Sequence, residues 1–290
     1  MKKILILGKS GMLGSMVFDY FSKQDDFNVL GTVRDEFEAG VDKLADKILP
    51  YFKPDYIINC IGVIKPYCKD NDSEGVLRAI KINALFPHQL AEEETNSRII
   101  QIATDCVYSG QQGNYLEDSP HDALDVYGKT KSLGEVFQPN FLNLRCSIIG
   151  PELKNKASLL EWFLSQPKDK PLTGFTHHLW NGVTTLQFAQ FCHNIIRQSD
   201  DYFDDLVRKS PTYHTVLNET VNKFELLNIF NKVFDAGLTI EATDKIGAPV
   251  NRTIKSKFNI NPDPLIPMEQ AVQDLKDYIN LNNFYDHGKN

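Results

Sequence analysis

The chain has 290 residues, 42% hydrophobic and 24% charged, a globular composition that excludes wholesale disorder and fibrous repeats. Its 31 Lys and Arg face 38 Asp and Glu, for a net charge of −7. Such a chain lacks the basic footprint of a nucleic-acid binder or of a protein that sits on anionic lipid.

The first apolar run, 4–7, follows Met1-Lys2-Lys3 and begins like a signal peptide. It stops at Gly8-Lys9-Ser10-Gly11, too short for the apolar region of a leader. It reads as a buried strand, and a helical pattern over 12–21 follows it. Further strands are expected at 28–33, 56–60, 98–103, 142–149 and 213–217, each short and rich in Ile, Leu and Val, as parallel strands covered on both faces require. Helical patterns at 76–94, 129–137 and 185–196 lie between them. After Gly150-Pro151 the pattern changes to a helix at 159–164 and a Pro- and Lys-containing stretch at 166–171. A helix at 224–234, a strand at 238–242 and a helix at 268–279 close the chain. This alternation predicts an α/β fold, a Rossmann-type doubly wound parallel sheet with a smaller C-terminal lobe. The expected division is a dinucleotide-binding domain over 1–150 plus about 178–220, and a substrate-binding lobe over about 151–177 and 221–290.

Gly8-Lys9-Ser10-Gly11-Met12-Leu13-Gly14 joins the first strand to the first helix with the spacing G-x-x-G-x-x-G. Glycines there allow a tight turn and close approach of the backbone to a pyrophosphate, whose charge the helix N-terminus stabilises. The bland alternative is an ordinary βα turn. The second strand ends at Thr32-Val33-Arg34, where an acid would bond the ribose of NAD and an Arg favours the 2′-phosphate of NADP. Arg34 therefore points to NADPH, with NADH open and Arg34 as a solvated loop charge the alternative.

Tyr127-Gly128-Lys129-Thr130-Lys131 places a Tyr and a Lys four residues apart, on one helix face. A free phenol titrates near 10 and needs a cation to act as an acid-base group at neutral pH; Lys131 supplies it. Alone, such a pair is more often two surface residues. Thr104, directly after the strand 98–103, adds a hydroxyl at the carboxyl end of a parallel strand, where ligands bind, although a strand-end cap is its plain alternative. Together the three suit hydride transfer to a ketone, Thr104 bonding the oxyanion and Tyr127 protonating it.

Cys60, Cys68, Cys106, Cys146 and Cys192 are odd in number and scattered, without a C-x-x-C pair, which reads as reduced thiols in a cytoplasm. No stretch approaches the ~20 apolar residues of a membrane span. The adjacent His177-His178 reads as loop polarity or a substrate contact, and no metal site is expected. The long connection from Asp105 to Val126 reads as a substrate-side flap, Trp180 as a ring that stacks a base or fills the lobe interface, and Arg252 as a phosphate contact or a surface ion pair.

Seven stretches carry a resemblance in their order and spacing: ILILGKSGMLG, IINCIGVIKP, INALFPHQLA, IATDCVYSG, YGKTKSLGE, LRCSIIGPE and WNGVTTLQFA. The chain resembles an extended short-chain dehydrogenase/reductase of the dTDP-4-dehydrorhamnose reductase (RmlD-like, sugar-nucleotide-binding) group. The resemblance implies that Gly8, Ser10, Gly11, Met12 and Leu13 hold the pyrophosphate, Thr32, Arg34 and Asp42 the adenosine end, and Cys60, Ile61, Gly62 and Val63 the ribose side. It puts Thr104, Tyr127 and Lys131 on catalytic positions, and Asp105, Ile148 and Trp180 beside the substrate. It implies a nucleotide-diphospho-sugar with a keto group, reduced for surface polysaccharide synthesis, and a homodimer, with Mg²⁺ needed in some members. Two departures bear on the sugar. Cys106 stands where rhamnose-forming reductases have an aromatic, and Ile148 where they have a Trp that can stack. A 4,6-dehydratase would need an acid where Cys106 stands; a 4-epimerase shares the Thr-Tyr-Lys set; a dinucleotide-binding regulatory subunit is the non-enzyme alternative.

Overall fold

Six parallel strands make the central sheet: β1 (Lys2–Leu7), β2 (Phe27–Thr32), β3 (Tyr56–Asn59), β4 (Arg98–Thr104), β5 (Phe141–Cys146) and an edge strand, Thr212–His214. Their order is edge strand-β5-β4-β3-β1-β2. The computed structural model describes residues 1–93, 95–154, 156–261 and 263–288. The expected strand-helix alternation is thus an α/β, Rossmann-type sheet. Its strands read as unbroken apolar runs because the pleat sends alternate residues to two buried faces. Ile4 and Ile6 enter one cluster with Ile58, Ile100 and Leu144; Leu5 and Leu7 enter another with Ile57, Ile99 and Phe141.

β1 lies between β2 and β3, so the connections leaving its end and that of β3 run to opposite faces. Such a switch point opens a crevice at the carboxyl ends of the strands. Helix α1 (Met12–Ser22) leaves β1 there. Gly8 has φ +84°, in the left-handed region, and α1 presses on the turn it makes. A Cβ on Gly14 would lie 2.0 Å from the Gly8 carbonyl oxygen. Gly14→Ala must push α1 off β1, and a loss of about 1–3 kcal/mol is expected from such overpacking, read as a lowered thermal unfolding midpoint.

Several elements differ from the expected spans for local reasons. The single strand 142–149 is two: β5, and Ile148–Ile149 paired with Val183–Thr184. The change of partner falls at Ser147, whose carbonyl accepts from the Val183 N–H at 2.8 Å. The helix expected over 76–94 runs through Ser73–Ala79, a π-helical stretch Ile80–Leu85, and Phe86–Ala91; Glu94 lies outside the described residues. The helix expected over 129–137 is Val126–Leu133. It starts earlier because the Asp125 carboxylate caps the Gly128 N–H at 2.7 Å, and it stops at Gly134, where a Cβ would meet the Asn83 carbonyl oxygen at 1.8 Å.

A further apolar cluster joins Leu160 and Phe163 of helix Leu159–Leu164, Leu226 and Phe230 of helix Lys223–Val233, and Val272 and Leu275 of helix Met268–Leu281. Met16 of α1 and Leu186 of helix Thr185–Gln198 belong to the same cluster, so this part packs directly on the sheet unit. His178–Trp180 pairs with Val221–Asn222 and Val250–Asn251, away from the central sheet. Among the described residues no helix is long and apolar enough to cross a membrane.

Candidate functional site

A cleft of about 600 Å³ opens at the carboxyl ends of β1, β3, β4 and β5. One end is made by the glycine turn. Ser10, Gly11, Met12 and Leu13 line it, and α1 begins there with Gly11 as N-cap and no side chain capping its N–H groups. An uncapped helix start carries free donors and the positive end of the helix dipole. Gly11 and Gly62 leave the wall without side chains. These features fit the diphosphate of a dinucleotide. Arg34 lines the cleft beyond the end of β2, and Cys60 and Val63 line it after β3.

At the other end Thr104 closes β4, and its hydroxyl accepts from the Cys106 N–H at 3.2 Å and lies 3.3 Å from Asp105 Oδ1. Tyr127 and Lys131, one turn apart on helix Val126–Leu133, reach the same cleft. Gly128, between them, lets that helix approach; a Cβ there would meet the Cys106 carbonyl oxygen at 2.5 Å. Lys131 is buried, and its Nζ donates to the Ile102 carbonyl at 2.7 Å. On the outer side, Lys65 pairs with the capping carboxylate of Asp125 at 2.8 Å and lies 5.9 Å from the Tyr127 ring centroid.

Burial dominates the protonation equilibria here. It pulls the Lys131 ammonium down to about 8, with Glu135 and Cys146 opposing. It pushes the Tyr127 phenol well above its ordinary value, the Cys106 thiol adding and a hydrogen bond with Thr104 opposing. It raises the Asp105 carboxyl against the pull of Arg252, and it pushes the Cys106 thiol up to about 12. Tyr127 is therefore a neutral hydrogen-bond donor with a cation on the same helix face. Beside a hydroxyl, that set can protonate an oxyanion.

Ile148 and Asp105 also line the cleft, whereas Gly8, Ile61, Thr32, Asp42 and Trp180 stand behind it. Gly8 packs on Ile61, whose Cγ1 a Cβ would meet at 2.8 Å. Thr32 is buried, its carbonyl accepting from the N–H groups of Gly8 and Lys9. Asp42 accepts from the Glu38 N–H at 2.7 Å and serves a turn. Trp180 is buried in the lobe cluster, its ring covered by Lys223 Nζ at 4.9 Å, so it stacks on no cleft ligand.

The connection 105–126 is pinned and is no free flap. Tyr108 stacks on Tyr115 at 4.3 Å, Ser109 bonds Asp122 through N–H and hydroxyl at 2.6 Å each, and Tyr115 bridges to Ile254. Arg252 makes neither a phosphate contact nor a surface ion pair; it donates to the carbonyls of Tyr108 and Ser109. His178 lies against the Ala248 carbonyl at 3.1 Å, and among the described residues no three His, Cys, Asp or Glu gather to hold a metal.

Sequence reasoning missed Asn83 and Arg78. Asn83 spans the Val63 peptides, its Oδ1 accepting from the Val63 N–H at 2.8 Å and its Nδ2 donating to the Val63 carbonyl at 2.9 Å, and it reaches Thr130 Oγ1 at 3.3 Å. Its presence in a helical apolar stretch was the available signal. Arg78 reaches the cleft mouth with Ile64 and Tyr67, and nothing in its spacing marks it. A second hollow, about 780 Å³ beside helix Thr185–Gln198, holds none of the candidate residues.

Known proteins share this arrangement to different extents. The Xenopus tropicalis methionine adenosyltransferase 2 subunit beta is 32% identical over 143 residues, 46% of this chain and 42% of that protein. The spore coat polysaccharide biosynthesis protein SpsK of Bacillus subtilis (strain 168) is 27% identical over 138 residues, 47% of each chain. The matched stretch thus spans less than half the length of these curated relatives. A solved dTDP-4-dehydrorhamnose reductase from Clostridium acetobutylicum ATCC 824 superposes with a TM-score of 0.76 at 21% identity, covering 96% of this chain and 99% of that one, a likeness of fold. The model of the RmlD substrate binding domain matches residues 1–262, a span that holds the glycine turn, Thr104, Tyr127 and Lys131, and the chain belongs to that family, as an RmlD-like extended short-chain dehydrogenase/reductase.

Proposed function

We propose that this chain is an NADPH-dependent reductase of a 4-keto-6-deoxy nucleotide sugar, of the dTDP-4-dehydrorhamnose reductase kind, serving surface polysaccharide synthesis in the cytoplasm. The observation that carries the reading is the meeting of Thr104, Tyr127 and Lys131 with the uncapped start of α1 in one cleft. When bound, the dinucleotide supplies a hydride to the keto carbon. The N–H groups at the start of α1 hold its diphosphate, and Arg34 meets its adenosine end. Tyr127 hands its proton to the oxygen that becomes a hydroxyl, Thr104 hydrogen-bonds that oxygen, and the Lys131 ammonium favours the phenolate left behind. Asp105 is placed to bond a sugar hydroxyl. Cys106, a thiol held neutral by burial, replaces the acid a dehydratase requires. Similarity to a spore coat polysaccharide protein supports the setting.

The test is a screen of 4-keto sugar nucleotides with NADPH, followed by product stereochemistry. Net oxidation of NADPH with a keto sugar, absent with an ordinary hexose nucleotide, is expected; an epimerase consumes no reductant. The likeness to a subunit of methionine adenosyltransferase favours one other reading, a dinucleotide-binding subunit of a larger enzyme. Tight dinucleotide binding without turnover of any keto sugar is its expected result.

Lys131 also predicts a pH dependence. As pH rises through about 8 the ammonium loses its proton, and turnover is expected to fall along that limb. In Lys131→Arg, whose guanidinium stays charged, residual activity loses the limb. Stability runs the other way. With the folded value below the ordinary 10.5, the buried ammonium weighs against folding at neutral pH, and that penalty fades between about 8 and 10.5. Rate and unfolding profiles on one preparation check both signs.

A further inference from the structure

Beside Arg34, the end of β2 holds two more charges in contact. Lys9 Nζ lies 3.7 Å from Glu36 Oε2. The lysine stem crosses Gly31, where a Cβ would meet Lys9 Cδ at 2.7 Å and Phe18 Cδ2 at 2.6 Å. Its ammonium sits 5.5 Å from the Phe18 ring centroid. Glu36 is fixed too. Its Oε2 accepts from the Val33 N–H at 2.9 Å while its own N–H donates to the Val33 carbonyl at 3.1 Å, the reciprocal pattern of a capping box. Both side chains are thus held at the strand end that meets the adenosine ribose in this fold.

We infer that Glu36 is a specificity-determining residue for the dinucleotide, acting by occupying Lys9. The inference rests on the cofactor reading given above. A 2′-phosphate brings close to two negative charges to this strand end. It must win Lys9 away from Glu36 and tolerate the carboxylate left nearby. A ribose with a free 2′-hydroxyl instead donates a hydrogen bond to a carboxylate and leaves the pair intact. The Glu36 and Lys9 side chains are 53% and 30% exposed, and a pair so placed is weak enough to exchange partners. The chain therefore accepts both NADPH and NADH, with Arg34 favouring the first and Glu36 narrowing the margin.

The test measures dissociation constants of NADPH and NADH by calorimetry on the full chain, as wild type, Glu36→Gln, Lys9→Met and the double variant. Gln keeps an oxygen for the Val33 N–H, so unfolding midpoints stay level. Removing one charge near a dianion is expected to tighten NADPH on the order of tenfold, while NADH stays level or weakens. Lys9→Met is expected to weaken NADPH about tenfold and leave NADH within about twofold. The gain from Glu36→Gln shrinks in the Lys9→Met background, because the two residues act as a pair. A ratio of NADPH to NADH affinity that Glu36→Gln leaves within about twofold of wild type overturns the inference alone. A wild-type chain that binds neither dinucleotide overturns the cofactor reading, and this inference with it.

Discussion

Tyr127→Phe is expected to lower turnover of the keto-sugar nucleotide by roughly 10²–10⁴-fold, the range for losing a positioned acid. Dinucleotide affinity should stay within about twofold, since the ring remains and only the hydroxyl is removed. The phenol is the one group of the set that pairs a transferable proton with a nearby cation on its own helix face. Thr104 is no substitute, because its hydroxyl already accepts from the Cys106 N–H. Asp105 is the only other acid at this end of the cleft, and burial raises its carboxyl. If Tyr127→Phe kept more than about a tenth of wild-type turnover, the proton would have to come from Asp105, and Asp105→Asn in that background would then abolish the remainder. Steady-state rates with matched calorimetric binding separate the outcomes.

Arg145→Met is expected to be the most destabilising change near the site. Arg145 Nε and Nη2 each meet a Glu135 oxygen at 2.6 Å, and Nη1 donates to Tyr108 Oη at 2.7 Å and to the Glu117 carbonyl at 2.9 Å. The two side chains are 4% and 1% exposed. Taking away the guanidinium strands a carboxylate in the interior, at a cost of about 3–5 kcal/mol. For a chain of this size that lowers the thermal midpoint on the order of 10 °C. The double variant Arg145→Met, Glu135→Leu should recover most of the loss, because no charge is then left buried alone. Glu135 stands one turn after Lys131, so the single variant should also lower turnover; a midpoint that moves less than about 2 °C would show that the ion pair does not hold this helix.

The parallel sheet was legible because both of its faces are buried, which turns each strand into an unbroken apolar run such as 4–7. The glycine turn, Thr104, and the four-residue step from Tyr127 to Lys131 were legible because local spacing fixes where they stand. What depended on distant contacts was not. Trp180 looked available and is packed under Lys223. Arg252 looked like an anion site and ties down a loop. Ser147 ends β5 only because another strand takes over its carbonyl. Asn83 gave no periodic signal, since its bonds to Val63 require the helix around it to depart from regular α geometry.

That departure limits how the chain can change length. A π-helical turn closes its ring one residue later than an α-helical turn, so Ile80–Leu85 holds a residue that an ordinary helix would lack. Deleting one residue there would restore regular winding and rotate everything before or after it by about 100°. The Asn83 amide would swing off the Val63 peptides, and the outer helix face would turn inward. Single-residue deletions should therefore be borne by exposed loops and rejected here, although the stretch looks like any other helix in composition. Within this chain, the register of one turn sets whether the loop after β3 and the helix carrying Tyr127 share a common fastening.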